Sequence, residues 1–315
     1  MENKKILLAN SLLLLALSLF ISIPFLANLL FRLNGPISGN VSLLLSGGTS
    51  VIALGGISLL YCRITKRRFS LVMVIKKISM KQLLLTVFVA FGTYIFAVGI
   101  NSISMKLFPI AIKDGMAISK LLSSSSTLLG LFVVILLPAF FEEVFFRGVF
   151  LDAYEGVNKK MKYFIITIIF ATFHGNIMQI IYVLFLGFIL LKVREYTGSL
   201  VGSMTLHAAN NAISFTLSKV AMNYIDPTQA ANTTEAMNVS FSVAMLRASI
   251  FFLIGGAILF INLRKLKEYK EEKDGLELIK EEYIEGKVTH TDEKQYLPLA
   301  MYFVCMTVLV VLRYF

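Results

Sequence analysis

The chain is short of charge, short of cysteine and, within its long apolar runs, short of ionisable side chains of any kind. Only 16% of its 315 residues are charged and 57% are hydrophobic, whereas soluble domains carry roughly 25% charge. That balance excludes an ordinary soluble domain and predicts a polytopic membrane protein. Two cysteines, Cys62 and Cys305, each lie near the end of an apolar stretch, too few and too far apart for a disulfide framework or a thiolate metal site. Both read as packing residues. No internal repeat is present, which gives no support to a duplicated transporter architecture. The net charge of +11 would suit a polyanion, but it is concentrated in segments flanking the apolar runs, where Lys and Arg set orientation. No nucleic-acid partner is expected; the expected surroundings are membrane lipid.

What is abundant is apolar sequence of membrane-crossing length, which needs about 20 residues per helix. Such segments fall at about 6–31, 41–62, 82–108, 127–148, 162–175, 177–192, 199–222, 240–263 and 297–312. The fold class is therefore all-α, a bundle of about eight or nine transmembrane helices. The fifth and sixth segments are short and are expected to form a hairpin meeting at Gly175-Asn176, shielded by neighbouring helices. The first segment follows Lys4-Lys5 like a signal peptide, but its apolar run exceeds an h-region and no small-residue cleavage site stands out, so a retained helix is expected. The organisation reads as N-terminal helices (1–124), a central core (125–225), a further helix (226–263), a charged segment (264–296) and a last helix (297–315).

Lys and Arg cluster on one side if the N-terminus is cytoplasmic. That side then holds Lys4, Lys5, the group from Arg63 to Lys81, Arg147, Lys159, Lys160, Lys162, Lys192, Arg194 and the stretch from Arg264 to Lys294, most of the 30 basic residues. An integral plasma-membrane protein with a cytoplasmic N-terminus, nine spans and an external C-terminus is the expectation. The stretch from Arg264 to Gln295, rich in Glu and Lys, reads as a solvated hairpin or helix leading to the last span.

Against this background the polar residues inside the spans stand out. Glu142-Glu143, with Arg147 four residues on, interrupts an apolar run from Leu136 to Phe146. An ionisable group in a membrane costs at least about 2.5 kcal/mol and by default marks a functional site. Four residues apart on a helix, Glu143 and Arg147 share a face and are suited to an ion pair, with Glu142 turned about 100° away. Two histidines also lie in apolar segments, His174 and His207; His207 and Asn211 are again four apart on one face. His290 lies in the charged stretch and reads as solvated. Singly, each residue is as consistent with hydrogen-bonded packing or a snorkelling pair as with chemistry. Together they suit hydrolysis: a carboxylate and an imidazole deprotonate water, while an imidazole and a carboxamide donate to an oxyanion. Water access requires an intramembrane cavity, expected to open to the cytoplasm. Pro138, four residues before Glu142, is expected to break a helical hydrogen bond there. Glu142 falls near the end of its expected span, whereas His174 lies about 18 Å along its own, so the fifth helix is expected to begin below the membrane surface.

These motifs resemble the CAAX proteases and bacteriocin-processing enzymes, the CPBP or Abi family of intramembrane proteases that includes the prenyl-protein CAAX endopeptidase. EExxxR is Glu142 to Arg147, FxxxH is Phe170 to His174 and HxxxN is His207 to Asn211, in order, and the resemblance covers roughly residues 125–225. It implies an endopeptidase that cuts a membrane-associated or lipidated, CAAX-like peptide or protein substrate. Glu142 and His174 would activate the water, His207 and Asn211 would stabilise the oxyanion, and Glu143 with Arg147 would support them. It implies catalysis without a bound metal; the alternative is Zn²⁺ held by Glu142, His174 and His207, although no HExxH is present. Two other functions share the residues: a non-catalytic bacteriocin-immunity or regulatory membrane protein, and a proton-coupled transporter.

Overall fold

The computed structural model describes residues 2–32, 37–123, 125–224, 240–277 and 293–314, and every regular element among them is helical. In chain order the helices are α1 (Glu2–Arg32), α2 (Gly39–Thr65), the short α3 (Phe69–Met73), α4 (Met80–Leu107), α5 (Ile112–Ser123), α6 (Thr127–Ala153), α7 (Lys159–Thr172), α8 (Ile177–Thr197), α9 (Leu200–Tyr224), α10 (Phe241–Glu277) and α11 (Leu297–Tyr314). Among the described residues, seven helices are long and apolar enough to cross a membrane: α1, α2, α4, α6, α8, α10 and α11 with its leading 3₁₀ turn. The protein is an all-helical, multi-pass membrane protein.

Several boundaries differ from the sequence expectation. The sixth apolar segment is a full-length helix of 21 residues, α8, because its apolar face continues through Val193 before Gly198 takes the left-handed conformation (φ 62°) that ends it. The fourth span runs on to Ala153, so Glu142 sits near its middle, with roughly 16 Å of helix beyond it. α10 continues well past the expected 263 to Glu277, extended by i,i+4 pairs Arg264–Glu268 (2.7 Å) and Lys267–Glu271 (3.3 Å). The remainder of the charged stretch, 278–292 with His290, lies outside the described residues.

Local chemistry fixes the ends. Ser79 and Gln82 form a reciprocal capping box at the start of α4, with bonds of 3.2 and 3.0 Å. Between helices, lipid supplies no hydrophobic drive, so close packing of small residues does the holding: a Cβ on Gly255 of α10 would stand 2.6 Å from the Phe96 backbone of α4. α6 runs through the middle of the bundle, with every residue from Glu143 to Val149 buried. Its backbone loosens twice into π-helical turns, Leu131–Leu136 and Glu143–Val149, a geometry that concentrates at functional sites.

Candidate active site

Three helices bring the sequence-singled residues into one region. Glu142 and Glu143 stand where α6 passes into its second π turn. Glu143 and Arg147 are both wholly buried, 3.0 Å apart, and the guanidinium also donates to the Gly187 carbonyl of α8 at 3.2 Å. It lies over the Phe170 ring of α7 with its central carbon 3.9 Å from the centroid. Arg147 is thus held by an anion, a carbonyl and an aromatic face, which is how a buried cation is made tolerable. Gly187 matters because a Cβ there would meet Phe170 at 3.0 Å and Arg147 at 3.4 Å. Its one sequence signal is a glycine inside an apolar helix, where it costs roughly 1 kcal/mol against alanine.

His207, on α9, bonds through Nδ1 to the same Glu143 Oε1 at 2.9 Å. Glu143 therefore serves both Arg147 and His207. With Nδ1–H donated to a carboxylate, the neutral ring leaves Nε2 as an acceptor, and that nitrogen lies 3.9 Å from Glu142 Oε2. Glu142 keeps 19% of its side chain exposed, yet its Oε2 is buried and has no hydrogen-bond partner, as is also true of Glu143 Oε2 and Arg147 Nε beside it. A buried polar atom without a partner is uncommon and calls for an explanation.

His174 sits just beyond α7, in the turn that joins it to α8. Its Nδ1 is 2.9 Å from the Phe170 carbonyl; a carbonyl only accepts, so Nδ1 carries the hydrogen and Nε2 is the free acceptor. Glu142, His207 and Arg147 all lie close enough to act electrostatically on this imidazole. Phe170 stands between the rings, edge-on to His174 at 5.2 Å and to His207 at 6.1 Å. The turn between α7 and α8 requires Gly175, whose φ of 59° disfavours a side chain.

Asn211 is one turn beyond His207, but its amide donates to the Val134 carbonyl on α6 at 3.1 Å. Pro138 has no N–H to offer that carbonyl, its ordinary α-helical partner. Asn211 fills the gap, which ties α9 to the break in α6, and leaves its second N–H and its oxygen for other work. Among the described residues, no three His, Cys, Asp or Glu side chains group so as to hold a metal ion. A cavity of about 170 Å³ lies between α1 and α2, lined by Phe20, Pro24, Ser46 and Thr49 among others. Phe20 packs edge-on against Phe173, beside His174, at 4.9 Å.

Residues 124–213, which include every residue of this site, match the family model described as type II CAAX prenyl endopeptidase Rce1-like. No curated protein and no solved structure matches the chain. The chain is a multi-pass membrane protein in which residues 124–213 are similar to the Rce1-like type II CAAX prenyl endopeptidases.

Proposed function

We propose that this protein is an endopeptidase that hydrolyses a peptide bond of a membrane-associated or lipidated substrate through a water activated by Glu142 and His174. The observation that carries this reading is the unpartnered, buried Oε2 of Glu142, set 3.9 Å from His207 Nε2 while both imidazoles have Nδ1 engaged elsewhere. Glu142 accepts the proton of the water, with the free Nε2 of His174 as its partner, and general base catalysis of this kind is worth about 10²–10⁴-fold. His207, once its Nε2 carries a proton, donates from that nitrogen to the developing oxyanion. Asn211 adds its second N–H. Glu143 and Arg147 hold His207 in place. The protein's place is the plasma membrane with its N-terminus cytoplasmic, as the Lys and Arg distribution supports, and the reaction proceeds without a bound metal.

The test compares membrane and secreted peptides from cells producing the wild type or Glu142→Gln. The expected result is a product that disappears in the mutant, while the purified mutant unfolds at the wild-type temperature, because a neutral amide accepts no proton. Identical peptide profiles would overturn the hydrolase reading in favour of a non-catalytic role. Metal analysis of the purified protein, with product formation followed after chelation, tests metal independence; loss of activity restored by Zn²⁺ would reverse it.

A further inference from the structure

The last helix, α11, and the α5 segment lie outside the matched domain, yet both reach the turn that carries His174. Tyr302 of α11 bonds to that turn's approach, with its hydroxyl 3.0 Å from Thr172 Oγ1 and donating to the Ile169 carbonyl at 3.2 Å. Both the Tyr302 ring and Ile169 are fully buried. One helical turn later, Met306 closes over Gly175, 3.7 Å from where a Cβ would be. At the end of α11, the Tyr314 hydroxyl accepts the Ile177 backbone N–H at 3.3 Å. The contacts therefore bracket His174, at Ile169 and Thr172 before it and at Gly175 and Ile177 after it.

A fourth element completes the bracket. Asp114 of α5 accepts from Asn176 Nδ2 at 3.2 Å, from Arg313 Nε at 3.2 Å and NH2 at 2.8 Å, and from the Tyr314 hydroxyl. Asn176 itself is 3% exposed and caps α8, its oxygen accepting from Gln179 N at 3.2 Å. One carboxylate thus gathers the cap of α8 and both polar side chains at the end of α11, and the Arg313 contact is bidentate, the geometry that best fixes direction.

We propose that α11 and Asp114 are positioning elements for His174: Tyr302 and the Asp114–Arg313–Tyr314 cluster hold the α7–α8 turn and with it the direction of the His174 imidazole. This rests on the proposed function for its purpose but not for its test. The turn is not regular helix, since α7 ends at Thr172 and α8 starts at Ile177; two backbone bonds close it, His174 N to the Ala171 carbonyl at 3.3 Å and Gly175 N to the Thr172 carbonyl at 2.9 Å, and the side chains of α11 and α5 add to them. The His174 imidazole is consequently held through α11 and α5, which lie outside residues 124–213. His207, built into α9 and bound to Glu143, does not depend on them.

The experiment labels the imidazoles of the purified full chain with diethyl pyrocarbonate and measures modification at His174 and His207 by peptide mass spectrometry, which needs no substrate. Tyr302→Phe removes one oxygen and keeps the ring packed; Asp114→Ala removes the gathering carboxylate. Tyr302→Phe is expected to raise labelling of His174 about fivefold relative to His207, the change that one lost hydrogen bond makes in a local opening equilibrium, and Asp114→Ala, which removes several, at least as much. Asp114→Glu, which keeps the carboxylate, should fall between wild type and Asp114→Ala. An unchanged ratio in both variants, even with a lowered melting temperature, would overturn positioning and leave a purely structural role. Product formation in the same variants reads the hydrolase hypothesis separately: a raised ratio with no product from the wild type upholds the positioning and sinks the chemistry.

Discussion

Glu143 and Arg147 are fully buried, 3.0 Å apart, and share their carboxylate oxygen with His207. At the other end of the site, Asp114 and Arg313 are 2.8 Å apart, but the Arg313 side chain is 47% exposed, and they hold the turn that carries His174. Each histidine thus has an ion pair behind it, one dry and one wet. The dry pair gives a fixed direction at a high desolvation cost, so it must be complete or absent. The wet pair is screened by water and contributes little energy, yet it still sets direction because its carboxylate is shared among several donors. Position and stability are therefore supplied by different residues at the two ends.

The largest expected effect comes from breaking the dry pair on one side. Arg147→Met strands the Glu143 charge and should destabilise the protein by about 3–5 kcal/mol, read by unfolding in detergent. Arg147→Met combined with Glu143→Met removes both charges and should recover most of that loss, while freeing His207. If the double variant is as unstable as the single one, the pair is not the reason for the loss.

A middle-sized effect is expected at the α6 break. Asn211→Ala leaves the Val134 carbonyl without its donor, at a cost of about 1–3 kcal/mol. Adding Pro138→Ala gives that carbonyl a backbone amide and should restore stability without restoring any activity that Asn211 supports. Strict additivity of the two changes would show that Asn211 and Pro138 do not share the carbonyl.

The smallest effect concerns acid. Burial acts to raise the Asp114 carboxyl, but the hydrogen bonds from Arg313 and Tyr314 and the charge of Arg313 outweigh it and leave it below the ordinary aspartate value of 3.8. A depressed carboxyl stabilises the fold above its ordinary value, and the contribution is lost as pH falls through the depressed one. The melting temperatures of wild type and Asp114→Asn should therefore differ by a constant amount from pH 7 to about 5 and converge from about pH 4 downward. The difference corresponds to at most about 1 kcal/mol, since Arg313 is half in water. A gap that widens with acid would contradict the assignment.

The all-helical membrane class and the region of the site were legible because they rest on local signals: apolar length, and polar residues where lipid forbids them. The length of α6 was not, since residues 149–153 include Asp152, whose charge looks like a helix end. In the fold Asp152 is buried at the bundle's edge by Tyr61, at 2.7 Å, and Arg67, at 2.6 Å. The Glu143–His207 bond, the Asn211–Val134 bond and the Asp114 cluster join residues 62 to 200 positions apart. No spacing rule within one helix announces them. Spacing did place Glu143 beside Arg147, because that contact lies within one turn.

Phe170 has a consequence for motion. Its ring is fully buried, has the Arg147 guanidinium on one face, and meets the edges of Phe146, His174 and His207 within 5.2, 5.2 and 6.1 Å. A ring gripped on so many sides cannot turn over unless its neighbours part. Its half-turns therefore count the loosenings of the buried cluster, and the exchange of its two ring edges in a magnetic resonance spectrum becomes a clock for how often Arg147 and the two imidazoles part around it.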